Sequence, residues 1–131
     1  MGLEVTSGAM ATLIEEAARA HPRECCGLLL GRADRIETAR PCANVHPEPQ
    51  GHFEIDPAAL IAAHRAAREG GPQVLGYYHS HPNGRATPSA TDRAQASGDG
   101  RVWGIVAAGD ITFWRDGEAG FEALCLRVAG G

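Results

Sequence analysis

Apolar and polar residues follow two distinct rhythms along this chain, with one solidly apolar run between them. Residues 3–6 alternate with a period of two, as a half-buried strand does. Ser7 offers an N-cap, and Met10, Leu13, Ile14, Ala17, Ala18 and His21 recur at helical spacing, so a helix is predicted that Pro22 ends. Residues 24–31 are too short for a helix and apolar on both faces, which fits a central buried strand. Residues 33–35 form a turn into a second strand at 36–45, broken near its middle by Pro41.

A Pro- and Gly-containing loop at 46–51 and a short strand at 52–55 precede Asp56-Pro57, an N-cap followed by proline at the first helical position. Leu60, Ile61, His64 and Ala67 mark the buried face of that second helix, and Gly70-Gly71-Pro72 stops it. A strong strand at 73–81, a loop at 82–88 and a short helix from Ser89 to Ser97 come next. Beyond Val102 lie three strand candidates, separated by the turn dipeptides Gly109-Asp110 and Asp116-Gly117. Residues 126–131 read as an unstructured terminus. Strands and helices in this order predict an α+β fold, and 131 residues suit one domain, 1–131.

Composition narrows the function classes. The net charge is −4, and all twelve basic residues are arginines scattered among acids, which speaks against a nucleic-acid surface. No apolar run approaches the ~20 residues that cross a bilayer, and no signal-like segment opens the chain, so a cytoplasmic protein without a membrane partner is expected. Met1-Gly2 with Thr6 fits a loose myristoylation pattern, but residues 3–6 read better as a strand. Cys25, Cys26, Cys42 and Cys125 form no C-x-x-C pair and read as reduced thiols.

The candidate chemistry lies in residues 77–92. His79 and His81 are two apart on a strand, so their rings share a face and can lean onto one ion. Pro82 ends the strand, the chain turns through Asn83-Gly84, and Asp92 lies one turn into the following helix, able to point back. Two imidazoles and a carboxylate match a catalytic zinc site, with a fourth position left for water. Each part also has a plainer reading: two core histidines, and a Ser89-x-x-Asp92 capping box.

The joint pattern decides between them. His79-Ser80-His81-Pro82 followed by Pro88-Ser89-x-x-Asp92, with Glu24 opening an apolar, glycine-containing strand, resembles the JAMM/MPN metallopeptidases of the compact bacterial type. Asn44, Phe53 and Asp56-Pro57 also stand where bacterial relatives place similar residues. The resemblance implies a curved, partly barrel-like mixed sheet flanked by about three helices. It implies Zn²⁺ held by His79, His81 and Asp92, with Glu24 shuttling a proton from water to the leaving amine. Ser89 would donate a hydrogen bond to the oxyanion. Apart from the resemblance, Gly84 and Arg85 lie in the loop beside the expected metal, within reach of a substrate.

The family also implies a substrate: a ubiquitin-like or sulfur-carrier protein, cut after its C-terminal Gly-Gly. The chain's own end, Leu-Arg-Val-Ala-Gly-Gly, is similar to such a tail. The alternative is a non-catalytic MPN scaffold that serves as an interaction module. A zinc deaminase needs H-x-E and P-C-x-x-C, and a closed structural site needs a fourth protein ligand; the sequence offers neither.

Overall fold

The computed structural model describes residues 2–130. Its elements are β1 (Gly2–Thr6), α1 (Ser7–Ala20), β2 (Cys26–Arg32), β3 (Arg35–Cys42), α2 (Pro57–Arg68), β4 (Gln73–Ser80), α3 (Ala90–Gln95), β5 (Val102–Ala107), β6 (Asp110–Gly117), β7 (Gly120–Ala123) and β8 (Cys125–Ala129). The strands form one mixed sheet in the order β7-β6-β5-β4-β2-β3-β1-β8. It curls into a half-barrel, far enough that β6 touches β8 from the other end of the order. The mixed, curled sheet with three helices matches the architecture the resemblance implied.

β2 is the central strand that its apolar run predicts. Leu28 and Leu29 are fully buried on opposite faces and Leu30 is nearly so. Leu29 faces α1, whose Ala9 and Leu13 pack with Leu3, Val5, Ile36, Tyr78, Val106 and Phe113. Leu28 and Leu30 face α2, whose Ala63 and Leu60 pack with Val74 and Tyr77. The two helices therefore clamp the same strand from either side. Gly27 lets β3 and Tyr78 approach, since a Cβ there would lie 2.2 Å from the Arg40 carbonyl oxygen.

Several local expectations shift by a residue or two. Thr6, not Ser7, caps α1: β1 runs straight into the helix, and the extended Thr6 accepts a hydrogen bond from Ala9 N–H through its hydroxyl. Ile14 and Ile61 sit on the rims of their helices rather than on the buried faces, at 39% and 58% exposure. β3 carries on through Pro41, because β1 pairs with β3 at Arg35 and Ile36, away from the proline. Residues 52–55 make only a single bridge, Asn44 to Ile55. The turn after β6 is Glu118-Ala119, and Asp116 lies inside the strand, buried and accepting from Ser97 and Gly98 N–H groups.

The chain end departs most from its sequence reading. Residues 125–129 are not loose but form β8, paired in parallel along the whole of β1. Arg127 joins Arg35 on the Glu4 carboxylate. Gly131 lies outside the described residues.

Candidate metal centre

His79 is the last-but-one residue of β4, and His81 follows just beyond the strand, its N–H donating to the Val106 carbonyl of β5. Strand alternation sends both rings to one face and Ser80 to the other. There the Ser80 hydroxyl accepts from Cys25 N–H at 2.9 Å and fixes the entry of β2. α3 brings in the third group. Ser89 caps it in a full capping box, with Asp92 N–H donating to the Ser89 hydroxyl at 3.0 Å and Ser89 N–H donating to the Asp92 carboxylate at 2.9 Å. The capping box and the metal-ligand readings of Asp92 are thus compatible, because one carboxylate serves both geometries.

The three side chains converge. His79 Nε2 lies 3.0 Å from Asp92 Oδ1, His81 Nε2 lies 3.0 Å from Asp92 Oδ2, and the two Nε2 atoms are 3.0 Å apart. All three residues are buried. His81 donates its Nδ1 proton to the Arg85 carbonyl at 2.7 Å, which leaves the Nε2 lone pair facing inward. Phe53 stacks on the His79 ring at 4.3 Å, and Trp103 meets that ring edge-on at 5.7 Å.

This donor set fits a zinc ion. Ligand atoms bonded tetrahedrally at ~2.0–2.1 Å lie roughly 3.3 Å apart, close to the 3.0 Å separations here. Facing lone pairs on two rings and a carboxylate repel unless a proton or a cation lies between them.

The electrostatics follow from burial. Burial would push the Asp92 carboxyl up, but its bonds to both histidines hold it well below the carboxylate range. Burial holds His79 below the ordinary imidazole value. In His81 burial acts the same way but is outweighed by Asp92 and the Arg85 carbonyl, so the net shift is upward.

Glu24 is the fourth candidate. It stands two residues before Cys26, whose register partner is His79, so continuing that antiparallel register sets Glu24 beside His81. It is buried at 7% exposure, and burial raises its carboxyl to about 7. A carboxyl tuned to neutrality can both take and release a proton at working pH.

Two cavities flank the cluster. One of about 710 Å³ runs from His81 and Gly84 past Ala17 of α1 and His21 just beyond it to Ala108. The other, about 530 Å³, lies against Phe53, Trp103, Tyr77 and Leu60. Arg85 offers the site its carbonyl. The supporting roles of Ser80, Trp103 and the Arg85 carbonyl were not read from the sequence. Only for Ser80 was there a signal, since strand alternation had to aim it away from the histidines.

A curled mixed sheet with a His-x-His strand end and a carboxylate from the next helix defines the class of JAB/MPN-type domains with a metallopeptidase-like donor set. The model of prokaryotic homologs of the JAB domain matches residues 6–117, and the chain belongs to that family. The desampylase of Haloferax volcanii is 41% identical over 91 residues, covering 68% of this chain and 66% of the relative. A probable TtuB-protein conjugate cleaving protease of Thermus thermophilus is 43% identical over 89 residues, covering 64% and 59%. The chain thus spans about two-thirds or less of the length of these relatives. A JAB1/MPN domain protein from Archaeoglobus fulgidus shares the fold, with a TM-score of 0.66 and 23% identity over 98% of this chain and 97% of that one. Among the described residues, no helix is long and apolar enough to cross a membrane.

Proposed function

We propose that this chain is a zinc-dependent peptidase that hydrolyses the amide bond after the C-terminal Gly-Gly of a ubiquitin-like or sulfur-carrier protein. The observation that carries the reading is the convergence of His79, His81 and Asp92 at mutual distances of 3.0 Å, with the neutral-range carboxyl of Glu24 beside them. The names of the two relatives, a desampylase and a conjugate-cleaving protease, supply the substrate class.

His79, His81 and Asp92 would hold the ion, and zinc in such a three-ligand site supplies Lewis acidity toward a carbonyl and lowers the pKa of water toward ~7. Asp92 supplies the negative charge, and the Arg85 carbonyl keeps His81 in the tautomer that presents Nε2. Glu24 takes the proton of the attacking water and returns it to the leaving amine. In the metal-free chain burial raises its carboxyl above the ordinary carboxylate range, which favours its taking up a proton.

Ser89 accepts from Asp92 N–H through its oxygen, which leaves the hydroxyl proton free to donate to the oxyanion. His81 lines one of the cavities, and a Gly-Gly tail would present bare backbone to a narrow approach there.

Zinc per chain, measured in the parent and in His81→Ala, tests the metal: about one ion against almost none is expected for a three-ligand site. A panel of carrier–Gly-Gly amides against unrelated peptides then tests the substrate. Equal cleavage of both groups refutes the carrier reading. Absence of zinc from both proteins after zinc is supplied would leave the non-catalytic scaffold as the better account.

A further inference from the structure

Glu24 lies beyond the last rung of β2, so the sheet does not fix its backbone; a loop does. Its N–H donates to the Pro49 carbonyl at 2.7 Å. Its carbonyl accepts from the side-chain amide of Asn44 at 3.0 Å. Asn44, half-buried two residues past the end of β3, spends every other hydrogen-bonding valence of that amide nearby. Nδ2 also donates to the His52 carbonyl at 3.0 Å, and Oδ1 accepts from His46 N–H at 3.1 Å and Glu54 N–H at 3.0 Å.

Residues 52 and 54, both bonded to this amide, bracket Phe53, whose ring stacks on His79. One planar amide therefore joins the backbone of the carboxylate to the segment that presses on a candidate metal ligand. A side-chain amide has two donors and two acceptor lone pairs, and here all four are used. Neither an aspartate, which has no donor, nor a serine, with a single hydroxyl proton, can reproduce this bridge.

From this network we infer that Asn44 is a positioning residue for the hydrolysis: by holding the Glu24 backbone it sets the distance of the Glu24 carboxyl from the reacting centre. The inference rests on the reading of Glu24 as the proton carrier. Asn44 touches neither ion nor substrate and acts through Glu24. It works on the chemical step, so it changes kcat and leaves ion and substrate binding alone. Displacing a reacting group by ~1 Å costs on the order of 100-fold in rate, which sets the size of the effect.

The test uses the full chain loaded with zinc and a sulfur-carrier protein whose terminal Gly-Gly is joined to aminomethylcoumarin. Asn44→Asp keeps the two acceptor bonds and loses both donors; Asn44→Ser supplies a second, smaller replacement should the first misfold. Both variants are expected to hold zinc as the parent does and to keep KM within about twofold, while kcat falls about 10- to 100-fold. Parent-like kcat in a zinc-loaded variant overturns the inference. A loss in which kcat, zinc content and melting temperature fall together does so too, because Asn44 is then only scaffold. Glu24→Gln run alongside separates the two levels. If it retains activity, the functional reading itself fails. If it is inactive while Asn44→Asp is not, only the positioning role falls.

Discussion

Replacing Glu24 by glutamine removes from the metal-free chain a pH dependence of stability that comes mainly from burial of the carboxyl. The carboxyl ordinarily titrates at 4.5 and is raised to about 7 in the folded chain, with burial the largest cause. Below pH 4.5 folded and unfolded chains both carry the proton, and the group costs nothing. Between 4.5 and about 7 the unfolded chain releases a proton that the folded chain keeps, so stability falls as pH rises; above 7 the loss is complete and constant. The difference between 7 and 4.5 corresponds to at most ~3.5 kcal/mol, at ~1.4 kcal/mol for each tenfold change in the proton equilibrium. Screening at the open mouth of the site trims this to about 2 kcal/mol.

Glutamine has the same shape and no charge to desolvate. Urea denaturation of parent and Glu24→Gln in the presence of chelator, at pH 5 and pH 8.5, measures the difference directly. The stability of the variant relative to the parent should rise by about 2 kcal/mol from the lower pH to the higher. Curves that stay parallel across that range would show that Glu24 is solvated in the folded state, and the argument for a neutral-range proton carrier would be lost.

Two further outcomes test the scaffold and the oxyanion donor. Ser89→Ala removes the α3 cap and should cost about 1 kcal/mol in urea melts; through the lost donor it should also lower kcat about 100-fold or more, and unchanged kcat removes Ser89 from the chemistry. Gly27→Ala would set a methyl group 2.2 Å from the Arg40 carbonyl oxygen and 2.4 Å from Tyr78 Cε2. Because one contact is backbone and the other a fully buried ring, a loss of ~3 kcal/mol or more is expected, and an unshifted urea midpoint would contradict the close packing of β2 on β3.

The parts of this molecule legible in its sequence are those that local physics fixes. The period-two placement of His79 and His81, the proline that ends their strand and the Ser89–Asp92 box are all set by residues within a few positions of one another. The same holds for α2, where Asp56 accepts from Ala58 N–H at 3.1 Å as the Asp-Pro start predicts. Rims were misjudged, as with Ile14 and Ile61, because periodicity gives a stripe but not the width of the surface it meets. Residues 52–55 carry strand-like side chains, yet they make one isolated bridge and otherwise bond the Asn44 side-chain amide instead of extending a ladder, and no pattern in four residues distinguishes the two.

What the sequence withheld is mostly long-range pairing. β8 lies along β1, and Arg127 meets Glu4 across 123 residues of chain; that register depends on where the curled sheet brings its edge, not on the composition of the last residues. The candidate centre draws on the same long-range order. β4 supplies His79 at its end and leads into His81, α3 supplies Asp92, and the run into β2 supplies Glu24 only because the Cys26–His79 register sets its entry opposite the end of β4. That register is held by Ser80 on Cys25, and the Glu24 backbone by Asn44, neither a candidate for the chemistry itself. α3, at six residues, is too short to persist on its own; its cap, and the bonds that draw Asp92 to the two histidines, tie it to the sheet. Any change that loosens those bonds should therefore be felt in the proposed chemistry before it is felt in the fold.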